Sequence, residues 1–191
     1  VMMGGYVDRV AVMNDLSIDV AGLIEAVRRP AKMVIFANPM NPVGAWLKPN
    51  ELEKVIRETH PNTLIVIDEA YFEYALHGDY CTALEFLQTG CQNWMVLRTF
   101  SKAWGLAGLR MGFAVCSNQG LRSALDLTRT PFNTNALAQY AAATVMSHDS
   151  HMKQHVAHIN SEKTKVEGAL NDARIIFASS LGNFLFIRCQ C

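Results

Sequence analysis

The chain has 191 residues, half of them apolar, and its 17 basic and 17 acidic side chains cancel to a formal net charge of zero. That balance leaves no basic stripe for a nucleic acid, no apolar run reaches the length of a membrane span, and the opening Val-Met-Met-Gly-Gly lacks the charged-then-apolar layout of a signal peptide. The length allows one domain with a substantial core, or one domain plus part of another, and a mean hydropathy of +0.10 predicts some apolar surface that meets a partner.

In chain order, short apolar runs alternate with helix-period stretches. Strands are predicted over 10–13, 33–37, 63–68, 94–99 and 112–115. Helices are predicted between them over 20–28 and 49–60, the second opening on Pro49 near its first turn. Nearly continuous apolar strands separated by helices imply an α/β fold with an open, mostly parallel sheet covered on both faces. The strands are too few and too irregularly spaced for a barrel. Beyond them, helices are expected over 119–129 and 136–146, split by Thr130-Pro131-Phe132-Asn133. A long helix over 151–171 offers Val156, Ile159, Val166 and Leu170 for packing, and strands are expected over 175–177 and 184–188. A soft domain boundary falls around 117–133. Internal repeats and low-complexity tracts are absent from the sequence.

Two residue classes point away from metal chemistry. Cys81, Cys91, Cys116, Cys189 and Cys191 are odd in number and form no CxxC pair, which reads as reduced thiols in a cytosolic protein. Cys189 and Cys191 alternate as strand residues do. His148, His151, His155 and His158 would form one stripe on a helix, and His151 with His155 has the spacing of a zinc pair. No glutamate or cysteine stands beside them as a third ligand, so a solvated helix face is the expectation.

In open sheets of this kind a ligand sits beyond the carboxyl ends of the strands, and the chemically interesting residues fall there. Lys102, in Thr99-Phe100-Ser101-Lys102, follows the run Trp94-Met95-Val96-Leu97, and Arg110 comes eight residues later. An amine at the mouth of a buried strand, flanked by hydroxyls and a guanidinium, suits imine formation with a phosphorylated aldehyde such as pyridoxal phosphate. The same amine could carry a proton at the substrate's α carbon. Such a cofactor also needs a carboxylate at its ring nitrogen, which Asp68, ending Leu64-Ile65-Val66-Ile67, could supply. It needs donors for its phenolic oxygen, which Asn41 and Tyr71 could supply. It needs a phosphate cradle, for which Thr99, Ser101 and Arg110 are suited, with Gly105, Gly108 and Gly112 allowing close turns. The spacing is not that of a Walker P-loop. Each piece alone has an ordinary explanation: a solvated lysine, an acidic turn with Glu69, a rigid Asn-Pro turn, a surface ion pair. The ordered set carries the signal.

The segments FANPMNPVG (36–44), IVIDEAY (65–71), LRTFSKAWGLAGLRMGF (97–113) and, less specifically, PFNTNALAQ (131–139) resemble the fold-type I pyridoxal-phosphate-dependent aminotransferases, within them the histidinol-phosphate aminotransferase group. The resemblance runs from about Gly5 to Arg188. It implies a three-layer open, mostly parallel sheet of the large domain with part of a small α+β C-terminal domain. In that scheme 1–117 is part of the cofactor-binding large domain, 118–150 the connecting helices and 151–191 part of the small domain. It implies pyridoxal 5'-phosphate as cofactor, with Lys102, Asp68 and Tyr71 catalytic, Asn41, Asp68 and Tyr71 holding the ring, and Thr99, Ser101 and Arg110 binding the phosphate. The implied partners are a small-molecule amino-acid substrate and a 2-oxo acid, with no nucleic acid and no membrane, in a cytoplasmic homodimer of histidine biosynthesis. A related decarboxylase, or a non-catalytic module that keeps the fold, remains an alternative. Met40 stands where the family often has asparagine, and Val43 where threonine is usual. The chain is expected to match roughly the middle half of a family member. The family's N-terminal phosphate loop and ring-stacking aromatic, and its C-terminal arginine for the substrate carboxylate, then lie outside it, and Arg188 is not assigned that last role.

Overall fold

The computed structural model describes residues 4–76, 78–87 and 93–188. Helix α1 (Val20–Arg28) starts where the Asp19 carboxylate accepts the Gly22 amide at 2.9 Å, and it buries Ile24 and Val27. Helix α2 (Pro49–Glu58) starts on Pro49, with the Lys48 amide donating to Glu51 Oε2 at 2.8 Å, and it buries Leu52, Val55 and Ile56. Strands β1 (Met33–Ala37), β2 (Leu64–Asp68) and β3 (Trp94–Thr99) pair in parallel, and β4 (Gly112–Cys116) closes the sheet antiparallel to β3, in the order β1-β2-β3-β4. The reversal has a simple cause. A parallel return needs a crossover element, and the link over 100–111 carries only one 3₁₀ turn, Ala107–Leu109.

One face of the sheet carries the main core. Ile65, Ile67, Trp94 and Val96 meet the apolar stripes of α1 and α2, with Leu47, Ala83 and Leu87 filling between. Val34 and Phe36 of β1 lean on the same cluster, so by strand alternation Met33 and Ile35 point the other way, where Ile35 is 64% exposed. The helical cover expected on both faces is therefore open at that edge strand.

Single-turn helices α3 (Phe72–Ala75) and α4 (Leu84–Leu87) follow β2, and neither was legible in the periodicity. Helices α5 (Gln119–Thr128) and α6 (Ala136–Ser147) are capped by the side chains of Asn118 and Asn135. Helix α7 (Asp149–Asp172) then returns across the molecule, placing Met152, Val156 and Ile159 against Tyr71, Tyr74 and Ala103. A two-stranded pair, β5 (Phe177–Ala178) and β6 (Phe186–Ile187), ends the described fold.

Three expectations need correction. Residues 10–13 form no strand: a turn with Leu16 at φ 69° and Ser17 bonded to Asp15 reverses the chain, leaving one isolated bridge, Val12 to Ile18. Val166, offered for packing, is 50% exposed, because the packed stripe of α7 runs through Val156 and Ile159 instead. The histidines do not share one solvated face: His155 is half-buried, with Nε2 3.4 Å from the Tyr74 hydroxyl. Cys81 and Cys116 are free, half-buried thiols, whereas Cys91, Cys189 and Cys191 lie outside the described residues. Among the described residues, no helix is long and apolar enough to cross a membrane.

Candidate active site

Three loops leave the carboxyl ends of the parallel strands side by side, because register places Ala37 opposite Asp68 and Asp68 opposite Leu97. The first loop follows β1. Asn38 is fully buried; its Oδ1 accepts the Leu47 amide at 2.8 Å, and its carbonyl accepts the Tyr80 hydroxyl at 2.9 Å. Within the loop Gly44 N donates to the Met40 carbonyl at 2.6 Å and Met40 N to the Ala45 carbonyl at 2.8 Å. Both Asn–Pro peptide bonds, Asn38–Pro39 and Asn41–Pro42, are cis. The tightened loop presents exposed Asn41, whose Nδ2 donates to the Tyr71 hydroxyl at 2.7 Å.

The second loop follows β2. Asp68 is half-buried at the strand end, where its Oδ1 accepts the Ala70 amide at 2.9 Å. Tyr71, just before α3, is buried, and its ring meets Phe184 edge-on at 5.1 Å. Because Asn41 donates to the Tyr71 oxygen, the phenol's own proton is directed at some other acceptor.

The third loop follows β3. The Thr99 hydroxyl accepts the Ser101 amide at 3.0 Å and reaches the Met111 carbonyl at 3.4 Å. Lys102 is half-buried, its Nζ 5.2 Å from the centre of the Tyr71 ring. Gly105, at φ 74°, closes the turn with its amide on the Lys102 carbonyl at 3.0 Å. Side-chain contacts thus unite Asn41, Tyr71 and Lys102, with Asp68 on the same sheet edge. Thr99, at the end of β3, is tied through its hydroxyl to the main chain of Ser101 and Met111 rather than to that cluster. Arg110 is brought near by strand pairing alone: Gly112, two residues on, opposes Thr99. Its guanidinium is exposed and donates to the Ala107 carbonyl at 2.7 Å. A cleft of about 470 Å³ between β4 and α5 contains none of these residues.

Sequence reasoning missed the polar cluster behind the site. Glu69 is fully buried and pairs with Arg98 at 2.6 Å, while accepting the Thr82 hydroxyl at 2.9 Å and the Ala83 amide at 2.7 Å. The Arg98 guanidinium also lies 3.4 Å from the centre of the Phe72 ring. The available signal was a lone arginine in an otherwise apolar strand, beside an acidic pair that alternation splits between two faces. On the other flank, Trp104 Nε1 donates to Glu73 Oε1 at 2.9 Å, tying α3 to the loop that carries Lys102. Burial raises the pKa of Glu73 above the ordinary carboxylate value, and burial, with nearby Glu73 and Tyr71, pushes the Tyr74 phenol up to about 12.

Comparison with known proteins places these features in context. The family model described as aminotransferase class I and II matches residues 2–189. Histidinol-phosphate aminotransferase 1 of Mesorhizobium japonicum is 48% identical over 189 residues, covering 99% of this chain and 52% of that protein. Histidinol-phosphate aminotransferase 3 of Rhizobium meliloti is 49% identical over 187 residues, covering 97% of this chain and 50% of that protein. The crystal structure of histidinol-phosphate aminotransferase from Sinorhizobium meliloti in complex with pyridoxal-5'-phosphate superposes with a TM-score of 0.87 at 31% identity, covering 98% of this chain and 50% of that one. The chain therefore spans about half the length of the curated relatives it matches.

Proposed function

The chain belongs to the class I and II aminotransferases, and on that footing we propose that it serves pyridoxal-phosphate-dependent transfer of an amino group between an amino acid or amine such as histidinol phosphate and a 2-oxo acid. The observation that carries the reading is the Asn41–Tyr71–Lys102 cluster: two neutral donors 2.7 Å apart, with an amine 5.2 Å from the same aromatic ring. This donor set, with the Asp68 carboxylate on the same edge, fits three of the cofactor's four demands, and the hydroxyls of Thr99 and Ser101 with the Arg110 guanidinium are suited to the fourth, the phosphate. When bound, the pyridinium ring supplies the electron withdrawal that acidifies the substrate's α carbon.

The residues would divide the work as follows. Lys102 Nζ would be the amine that holds the cofactor's aldehyde carbon and would be placed to act as a base at the substrate's α carbon. The Asp68 carboxylate would hold the ring nitrogen and favour its protonated form. Tyr71 and Asn41 donate to the phenolic oxygen. The hydroxyls of Thr99 and Ser101 and the guanidinium of Arg110 bind the phosphate, Arg110 by turning from the Ala107 carbonyl. In this reading 1–117 is part of the large domain, 118–150 the connecting helices and 151–191 part of the small domain. The assembly is a homodimer in the cytoplasm.

The test is a spectrum. Added pyridoxal phosphate gives the protein a visible absorbance band, and Lys102→Ala abolishes it. An unchanged band in Lys102→Ala, or none in the parent, refutes the assignment. In a second reading the chain is a cofactor-binding module without turnover of its own. Cofactor absorbance without amino-group transfer to any 2-oxo acid would establish it.

A further inference from the structure

Helix α7 carries one cation toward the interior. Lys163 is half-buried, and its Nζ donates to two main-chain carbonyls, Ser180 at 2.6 Å and Gly182 at 3.0 Å. Among the described residues no ion pair joins it; burial lowers the lysine's hold on its proton, and Glu167 on the same helix offsets this in part. An ammonium partly withdrawn from water is costly unless hydrogen bonds replace its lost hydration, as these two carbonyls do, and in doing so it fixes the segment that bears them. What it fixes is the 180–182 turn, which also closes on itself through the Gly182 amide and Ser180 Oγ at 3.0 Å.

That turn braces both donors of the candidate site. Ser180 is buried against Gly44, where a Cβ would come within 2.7 Å of the Ser180 Cα, and the Leu181 amide donates to the Gly44 carbonyl at 3.1 Å. Gly44 in turn holds the Met40 carbonyl, closing the loop that projects Asn41. Two residues beyond the turn, Phe184 sets its ring against Tyr71 at 5.1 Å. One short segment therefore supports both partners of the 2.7 Å Asn41–Tyr71 hydrogen bond.

We propose that Lys163 is a positioning residue, a strap from α7 that holds the 180–184 segment so that Asn41 and Tyr71 keep their mutual geometry. The spectroscopic arm of its test rests on the cofactor reading above; the exchange arm does not. In the full chain without cofactor, Lys163→Met accelerates amide hydrogen exchange across 178–184 about tenfold, and accelerates the Met40 and Gly44 amides comparably. The central strands β1–β3 keep their protection, and Lys163→Arg restores the parent pattern. Faster exchange confined to 178–184, with 40–47 at the parent rate, means that Lys163 only caps its own turn, and overturns the proposal. Should Lys163→Met not fold, Lys163→Gln, which can still donate to one carbonyl, decides by the same comparison. With cofactor added, donors at the phenolic oxygen weaken its pull on the neighbouring imine proton. Tyr71→Phe should then raise the pH midpoint of the visible absorbance. Lys163→Met should move it in the same direction, and the double variant should add nothing. A midpoint moved by Tyr71→Phe and untouched by Lys163→Met overturns the strap. A parent chain without the band refutes the cofactor reading and leaves Lys163 to the exchange result.

Discussion

Removing the Arg98 guanidinium should be among the most damaging single changes in this fold. Glu69 is 0% and Arg98 12% exposed at the side chain, and they meet through Nη2 at 2.6 Å and Nε at 2.9 Å, both on Oε2. Arg98→Met would leave a buried carboxylate without its cation, held by neutral donors such as the Thr82 hydroxyl and the Ala83 amide. Breaking a buried pair from one side costs about 3–5 kcal/mol. Against a whole-domain stability of about 5–15 kcal/mol, at roughly 2–4 °C per kcal/mol for a chain of this size, the melting temperature should fall by roughly 6–20 °C. The internal control is the Arg57–Glu53 pair on α2, whose side chains are 75% and 42% exposed and whose loss should cost only about 0.3–0.5 kcal/mol. Urea denaturation followed by circular dichroism measures both. The double variant Arg98→Met/Glu69→Gln should recover part of the loss, since the unpaired buried charge is then gone. An Arg98→Met penalty below about 1 kcal/mol, indistinguishable from the exposed pair, would refute the reasoning.

Gly44→Ala should destabilise by about 2–5 kcal/mol, because it combines a backbone at φ 88° with a methyl group driven into the Ser180 main chain; a thermal melt within a degree of the parent would contradict that. Glu73→Gln keeps an acceptor for Trp104 Nε1 while removing the ionisation. Burial raises the folded Glu73 value above about 4.5, so the folded chain binds that proton better than the unfolded one. The parent's stability relative to the variant is therefore fullest below that pH and declines as pH rises through the raised folded value. Melting curves should show the Glu73→Gln advantage growing from about pH 4 toward neutrality, and a pH-independent difference would sink the idea.

The elements whose limits were legible are those with enough residues to show a period. Met33–Ala37, Trp94–Thr99 and Val20–Arg28 end where the apolar pattern ends. Phe72–Ala75 and Leu84–Leu87 are one turn each and leave no period to detect. Residues 10–13 have strand-like composition, but among the described residues no strand pairs with them beyond the Val12 bridge, and a strand is stabilised by its neighbour rather than by propensity. Lys102, Asp68, Asn41 and Tyr71 were visible as chemistry because polar side chains placed just after apolar runs stand out. Glu69 and Arg98 were not, because the pair exists only when β2 and β3 align so that one carboxylate reaches one guanidinium across the strands.

By itself, then, the order of residues determined which groups lie at the ends of the buried strands, since turn chemistry and hydrophobic period are local properties of the chain. Whether those groups converge was decided by parallel pairing and by the return of α7. Those steps place Phe184 on Tyr71, Ser180 on Gly44 and Lys163 beneath both. Contacts so distant along the chain are selected by packing of the whole, which no local pattern encodes.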